Sequence, residues 1–191
     1  DWVKELAEAA NARGCELVDA PVTGSKPQAA SGEVNFFVGG SPEALEKIRP
    51  VLAPMSRSIT HLGPTGSGAL VKLINNFLCA VEVAAFGEAL ALIERSELDR
   101  TKALGVLMDG AAASPLAKTV VTRMTTPDFT PNFMLKLMTK DIGYALHEGS
   151  LRGQSLQTAA VALDIFKRAV AEGHGDKDIA AIVEPMREKV R

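Results

Sequence analysis

The sequence predicts an α/β segment over residues 1–63, followed by a long helix and an all-α bundle over residues 64–191. Three observations favour this division. Helix-like and strand-like segments alternate in the first part, as they do in a layered sheet. No strand-like segment follows Gly66. A continuous helical pattern that is apolar on most faces covers residues 69–95, which indicates a helix surrounded by other elements.

The α/β segment consists of short elements with their own boundary signals. Gly14 is placed to end the first helix, and Ser41 followed by Pro42 is a helix start. In order, the predicted elements are helix 2–14, strand 16–22, strand 34–40, helix 41–54 and strand 58–63. About three strands are too few for a well-formed doubly wound sheet. We therefore expect this segment to be the remainder of a larger domain whose N-terminal part is absent from the chain.

The all-α part is predicted to contain five further helices. They cover residues 100–110, 115–125, 133–149, 155–173 and 177–190. Their best start signals are Ser114 with Pro115, and Asp176. Pro185 is predicted to kink or end the last helix.

Composition favours a cytoplasmic protein and gives no indication of a nucleic-acid or membrane partner. The 21 basic and 23 acidic residues give no electrostatic reason to expect nucleic acid or an anionic membrane as a partner. No uninterrupted apolar run reaches the ~18 residues of a membrane span. Cys15 and Cys79 are far apart in sequence and fit thiols in a reducing compartment. The three histidines share no ligand spacing, so we expect no metal site.

The stretch GPTGSGALVKLINN, residues 63–76, places a lysine in apolar surroundings. A phosphate-binding loop needs lysine directly after its last glycine, but Lys72 lies four residues beyond Gly68. A dinucleotide fingerprint is a weak match, because Val71 stands where its third glycine belongs. In a third interpretation the glycines allow close backbone approach at the helix start, and Lys72 and Asn76 form a functional pair on one helix face.

Two interpretations of this pair stay open from the residues alone. Desolvation on an apolar helix can lower the pKa of a lysine such as Lys72, which suits it to proton transfer near neutral pH. Asn76 could then hold a substrate oxygen. Alternatively, Lys72 extends its ammonium group into water while Asn76 satisfies a local gap in the backbone hydrogen bonding.

Three stretches together resemble motifs of the β-hydroxyacid dehydrogenase family. They are DAPVTGSKPQAASG at 19–32, GPTGSGALVKLINN at 63–76 and KLMTKDIGYALHEG at 136–149. The resemblance implies that residues 1–63 are the C-terminal part of a Rossmann-type NAD(P)-binding domain. It implies that residues 64–191 form an all-α domain for substrate binding and oligomerisation, similar to the C-terminal domain of 6-phosphogluconate dehydrogenase. Nothing before Asp19 resembles the family's dinucleotide fingerprint, so we expect the chain to be the family's C-terminal two-thirds.

The resemblance also implies roles for individual residues near the first two motifs. Lys72 matches the catalytic lysine, and Asn76 matches the asparagine that helps to hold the substrate. Thr23 and Gly24 match a Ser-Gly pair whose hydroxyl and backbone N–H groups bind the substrate carboxylate. Ser25 departs from the family's second glycine but resembles a variant that occurs in glyoxylate and succinic semialdehyde reductases. A plain turn after a strand is the alternative for this loop.

In the third motif, Lys140 and Asp141 match a Lys-Asp pair. The resemblance implies that Lys140 approaches the nicotinamide end of the cofactor and that Asp141 belongs to the substrate site. Phe133 matches an aromatic residue of the substrate pocket. A solvated helix face is the alternative for the pair, and a place in the core is the alternative for Phe133.

The function implied is an NAD(P)-dependent oxidoreductase that interconverts a small β-hydroxy acid and its semialdehyde. Its cofactor would be NAD or NADP, with NADPH favoured, and its substrate would be a small carboxylate. A homodimer or homotetramer is expected. Within the enzyme class, 6-phosphogluconate dehydrogenase is a more distant alternative. A non-catalytic helical oligomerisation module derived from such a dehydrogenase is an alternative of another class.

Overall fold

The computed structural model describes residues 2–187, which divide into two compact units. The first unit extends to Asn75 and the second begins at Asn76. The first holds a small sheet with helices, and the second is helical. This arrangement confirms the predicted fold class, an α/β remnant followed by a long helix and a helical bundle. The domain boundary between residues 63 and 64 stays a prediction.

A three-stranded sheet organises the first unit. Its elements are α1 (Trp2–Asn11), β1 (Val22–Thr23), α2 (Lys26–Ser31), β2 (Val34–Gly39), α3 (Pro42–Leu52) and β3 (Ser56–Gly63). The strand order is β1-β2-β3, with β1 antiparallel and β3 parallel to the central β2. A short 3₁₀ turn, Ala53–Met55, connects α3 to β3.

Period-2 alternation along β2 builds the core of this unit. Val34, Phe36 and Val38 are buried on one face of the strand and pack with Leu45 of α3. The predicted start of α3 is confirmed, since the Ser41 hydroxyl accepts a hydrogen bond from the Ala44 N–H at 3.0 Å.

The predicted strand over residues 16–22 is wrong in extent. Asp19 makes an isolated bridge to Gly39, and the strand proper is the two-residue β1. Pro21 lies between these pairs and cannot donate to the ladder, although its carbonyl accepts from the Phe37 N–H at 2.9 Å. The short helix α2, which follows at once, was not predicted.

Six helices account for most of the described residues of the second unit. They are α4 (Ser67–Glu94), whose first residues belong to the first unit, α5 (Arg100–Asp109), α6 (Pro115–Thr125), α7 (Leu135–Leu151), α8 (Gln157–Ala169) and α9 (Glu184–Arg187). The start of α6 is confirmed, because the Ser114 hydroxyl accepts from the Ala117 N–H at 3.1 Å. The largest fully buried side chains of its core include Phe166, Leu90, Met124 and Leu135.

The last two predicted helices are shorter than expected. A π-helical turn, Val170–His174, follows α8 and contains Gly173 at φ +89°. The last segment begins as a 3₁₀ turn, Ile179–Val183, which Asp178 caps in place of Asp176. Pro185 neither kinks nor ends a helix, because it lies in the first turn of α9, where a missing N–H costs no helical bond. Residues 188–190 of the prediction lie outside the described residues.

Among the described residues, α4 is the one helix that by length and composition could also cross a membrane. This is a weak indication, because core helices of soluble proteins satisfy the same criteria.

A buried carboxylate orders the loop between α6 and α7. Asp178 is 2% exposed, and its Oδ2 accepts from the backbone N–H groups of Asn132 at 2.8 Å and Phe133 at 3.2 Å. Its Oδ1 accepts from the Ala180 N–H at 3.2 Å and lies 3.4 Å from Nε of Arg123, as an ion pair. One side chain therefore joins α6, the loop before α7 and the start of the final segment.

Replacement of Asp178 by alanine should lower the free energy of unfolding by about 3–5 kcal/mol, because it leaves Arg123 without this partner and removes the acceptor for three backbone N–H groups. Asp176→Ala is the matched control. Its side chain is 82% exposed, so it should change stability by less than about 0.5 kcal/mol. Urea denaturation of both variants measures the difference. Equal losses would contradict the role assigned to Asp178.

Candidate active site

The first turn of α4 is held by a carboxylate from a distant part of the chain. Asp19 Oδ1 accepts from the Gly66 N–H at 2.5 Å, and its Oδ2 accepts from the Ala69 N–H at 2.7 Å. These N–H groups have no partner within the helix, and the positive end of the helix dipole favours a negative charge there. The backbone of Asp19 is fixed in turn by two hydrogen bonds to Gly39, at 2.9 and 2.8 Å. Asp19 therefore ties the start of α4 to the end of β2.

Two glycines leave the space that this contact needs. A Cβ at Gly68 would overlap the carbonyl oxygen of Phe37 and lie 2.9 Å from Oδ2 of Asp19. A Cβ at Gly39 would overlap Oδ1 of Asp19 and lie 2.8 Å from the Pro64 carbonyl oxygen. The structure therefore favours the interpretation of residues 63–76 as a close backbone approach at a helix start.

Lys72 and Asn76 follow on α4, one helical turn apart. Lys72 is partly buried and Asn76 is 4% exposed. Because Lys72 lies three residues after Ala69, the capped first turn sets its position along the helix. The assignment of Lys72 as the catalytic residue stays a prediction.

Three of the predicted site residues meet in the second unit. The Asn76 Nδ2 group donates to Oδ2 of Asp141 at 2.7 Å, across 65 residues of sequence. The other oxygen of Asp141, Oδ1, lies 3.0 Å from the ammonium group of Lys140. The side chain of Asp141 is 15% exposed and that of Lys140 is 50% exposed. The carboxylate thus connects a buried amide with a half-exposed cation.

The predicted carboxylate-binding loop lies in the first unit. Thr23 ends β1 opposite Asn35, and Gly24 has φ +115°, a conformation that favours glycine. Ser25 precedes α2, and its backbone N–H donates to Oε1 of Gln28 at 2.9 Å. This N–H is therefore occupied within the loop. The roles of Thr23, Gly24 and Ser25 in binding a substrate carboxylate stay predictions.

Phe133 lies just before α7 and is partly buried against the bundle core. Its N–H donates to Asp178, and its carbonyl accepts from the Ile179 N–H at 3.0 Å. Both backbone groups are thus fixed by the loop contacts described above. Its assignment to a substrate pocket is untested.

Asp19 and Asp178 are two structurally important residues to which no role was assigned from the sequence. Asp19 opens the first of the three motifs, but its partners are 47 and 50 residues away. Asp178 lies two residues after the predicted start signal, with partners 45 and 46 residues away. The one sequence feature that could have drawn attention to them is an aspartate next to a glycine-rich or loop segment.

Within residues 2–187, no group of three or more His, Cys, Asp or Glu side chains could hold a metal ion.

Two family models cover almost the whole chain. Residues 66–186 match the model described as NAD-binding of NADP-dependent 3-hydroxyisobutyrate dehydrogenase. Residues 1–63 match the NAD binding domain of 6-phosphogluconate dehydrogenase. The chain belongs to the β-hydroxyacid dehydrogenase family. This confirms the resemblance seen in the three motifs.

Curated relatives have a range of names within this family. The chain is 32% identical over 187 residues to the NAD-dependent L-serine dehydrogenase of Pseudomonas aeruginosa, and the match covers 94% of the chain and 62% of that protein. It is also 32% identical to glyoxylate/succinic semialdehyde reductase 1 of Arabidopsis thaliana, with 96% and 63% covered. The chain therefore spans a little under two thirds of the length of these relatives.

Solved structures agree with this assignment. The 3-hydroxyisobutyrate dehydrogenase of Mycobacterium tuberculosis, solved with L-serine, has a TM-score of 0.89 at 31% identity, and the match covers 97% of this chain and 66% of that one. The enzyme of the same name from Salmonella typhimurium has a TM-score of 0.87 at 29% identity, with 96% and 65% covered.

Replacement of Gly68 by alanine should lower the free energy of unfolding by about 1–3 kcal/mol, because the new methyl group pushes α4 away from the Phe37 carbonyl. Gly105→Ala is the matched control. Gly105 lies inside α5, and no atom of residues 2–187 lies within 4 Å of the added Cβ except the neighbouring backbone, so the same change should stabilise the protein by about 0.5–1 kcal/mol. Thermal and urea unfolding measure both changes in stability, the loss expected for Gly68→Ala and the gain expected for Gly105→Ala. Stabilisation by Gly68→Ala would show that the first turn of α4 does not depend on the close approach.

Proposed function

We propose that the complete protein is an NAD(P)-dependent oxidoreductase that interconverts a small β-hydroxy acid and its semialdehyde. The observation that carries the proposal is the buried Asn76 amide, which is bonded to Asp141 and lies one turn after Lys72 on α4. Family membership supports it, because the relatives of the chain include proteins named as dehydrogenases and reductases.

Lys72 is proposed as the general acid and base. Oxidation of the substrate alcohol requires removal of the hydroxyl proton, and reduction of the aldehyde requires its return to the same oxygen. A neutral amine accepts this proton in the first direction, and an ammonium group donates it in the second. The partial burial of Lys72 and its place just after a capped helix turn support a fixed position for this transfer.

Thr23 and Gly24 are proposed to bind the substrate carboxylate. A hydroxyl group and backbone N–H groups in a turn are suitable donors for an anion. The names of the relatives support a small carboxylate substrate, since they include L-serine dehydrogenase, 2-(hydroxymethyl)glutarate dehydrogenase and glyoxylate/succinic semialdehyde reductase. Asn76, Phe133 and Asp141 are each proposed to contact the substrate.

Of two segments considered for contact with a nicotinamide dinucleotide, Lys140 on α7 suits it and the turn before α4 does not. Lys140 offers a half-exposed ammonium group that could approach the nicotinamide end of the cofactor. The turn before α4 does not form a phosphate cradle, because the Gly66 N–H is bonded to Asp19 and the space at Gly68 is filled by the Phe37 carbonyl. When bound, the nicotinamide supplies or accepts the hydride. NADPH is the proposed preference, and a cytoplasmic location is proposed.

Lys72→Met in the complete protein should lower kcat by about 10²–10⁴-fold, since methionine keeps the length of the side chain but cannot transfer a proton. Lys47→Met is the matched control, because Lys47 is exposed on α3, and it should leave turnover unchanged. Circular dichroism should show both variants folded. Near-normal turnover by a folded Lys72→Met protein would contradict the assignment.

Steady-state assays with NADH and NADPH, on glyoxylate and succinic semialdehyde, test the cofactor and substrate class. We expect reduction of at least one aldehyde, with a larger kcat/KM for NADPH. A larger kcat/KM for NADH would overturn the cofactor preference. Activity only in the oxidation of L-serine or 3-hydroxyisobutyrate, which are β-hydroxy acids, would keep the proposed reaction and exclude glyoxylate and succinic semialdehyde as substrates.

A non-catalytic oligomerisation module is the second candidate. It is favoured by an apolar face of α4, on which Ile74, Leu78 and Leu92 are exposed. Residues 78 and 92 are two heptads apart, a spacing typical of helices that pack against another helix. A homodimer or homotetramer is proposed under either function. Light scattering that shows an oligomer, combined with calorimetry that shows no binding of NADH or NADPH to the complete protein, would favour this module over the enzyme.

A further inference from the structure

Tyr144 is the single tyrosine of the chain, and its side chain is largely outside the core. It lies on α7 one turn after Lys140 and is 55% exposed. The ammonium group of Lys140 lies over its ring, 5.4 Å from the ring centroid. This distance is within the range in which the face of an aromatic ring attracts a cation. The ring therefore faces the side chain to which the cofactor contact is assigned.

Lys140 also contacts Asp141, although side chains at adjacent helical positions do not normally meet. Lys140 and Asp141 are consecutive, and consecutive side chains on a helix point in different directions. Even so, the ammonium group lies 3.0 Å from Oδ1 of Asp141. The four-carbon stem must therefore bend across the helix surface to bring the charge between the carboxylate and the ring of Tyr144.

We propose that Tyr144 is a positioning residue that holds the ammonium group of Lys140 beside Asp141, ready for the cofactor. The inference rests on the proposed function, because it takes Lys140 as the group that contacts the nicotinamide end. A half-exposed lysine paired with one carboxylate is weakly held, since water screens the pair and the stem has many rotamers. The ring adds a second attraction and covers the methylene groups of the stem.

The fixed position of Asp141 determines which of the two side chains has to be ordered. Its Oδ2 is already bonded to the buried Asn76, so the carboxylate cannot turn to follow a mobile lysine. The lysine has to be brought to the carboxylate. An aliphatic residue in place of Tyr144 would let Lys140 extend into water, and each cofactor molecule that binds would have to order it again.

Kinetics of the complete protein test the inference through three variants. Tyr144→Leu should raise the KM for the nicotinamide cofactor about two- to fivefold, with little change in kcat or in the KM for the carboxylate substrate. Tyr144→Phe keeps the ring face and should behave as the unaltered protein. Leu151→Ala is the control, because Leu151 is 56% exposed on the same helix and lies in no proposed site.

A spectroscopic readout separates this inference from the proposed function. In protein labelled with ¹³C-lysine, the ε-methylene signal of Lys140, assigned by its loss in Lys140→Met, should be shifted upfield by the ring current of Tyr144. The shift should disappear in Tyr144→Leu and persist in Tyr144→Phe. An unshifted signal in the unaltered protein would overturn the inference whatever the activity.

The two readouts together distinguish the failures. In the first case, the ring-current shift is present and Lys140→Met raises the cofactor KM, but Tyr144→Leu does not raise it. Tyr144 then does not position Lys140 for the cofactor, and the inference fails while the proposed function stands. If Lys140→Met itself leaves the cofactor KM unchanged, the assignment of Lys140 in the proposed function fails, and the inference fails with it.

Discussion

The contact of the Asp19 carboxylate with the first turn of α4 is the constraint on which the first unit depends. A helix start exposes N–H groups that need acceptors, and a carboxylate satisfies two of them while complementing the helix dipole. Asp19 can do this because Gly39 and Gly68 leave room for its oxygens. The end of β2 and the start of α4 are thereby joined at the level of the backbone. The position of Lys72, less than one turn after Ala69, follows from that junction.

In the second unit, another aspartate supplies acceptors for the backbone N–H groups of an irregular segment. The chain before α7 has to pass through an irregular loop, whose backbone N–H groups would be costly to bury without acceptors. Asp178 accepts from Asn132 and Phe133 and pairs with Arg123, so one buried side chain replaces the hydrogen bonds that regular structure would supply. In both units, an irregular segment next to a proposed site residue owes its shape to a single carboxylate from a distant part of the sequence.

This dependence explains which features the sequence could predict. Ser41 and Ser114 each cap a helix through a residue three positions later, so the local pattern was sufficient to predict both starts. Asp19 contacts Gly66 and Ala69, and Asp178 contacts Asn132 and Phe133, all more than 40 residues away in sequence. The local sequence around each aspartate does not indicate these distant partners. The strand over residues 16–22 was overestimated, because its apolar pattern did not account for the missing N–H of a proline. The contact of Asn76 with Asp141, 65 residues apart, could be approached only through the family resemblance.

The arrangement around Asp141 links the buried and the solvent-facing sides of the second unit. Each of its oxygens has a different partner, a buried amide on α4 and a half-exposed ammonium group on α7. A carboxylate held in this way cannot reorient without breaking either the hydrogen bond from Asn76 or the ion pair with Lys140, and loss of the hydrogen bond would leave the Asn76 amide without this acceptor. The Lys-Asp pair of the family motif is therefore not two independent side chains in this protein. The Asn76 amide and the Lys140 ammonium group both contact the same carboxylate, which is itself held by the buried hydrogen bond.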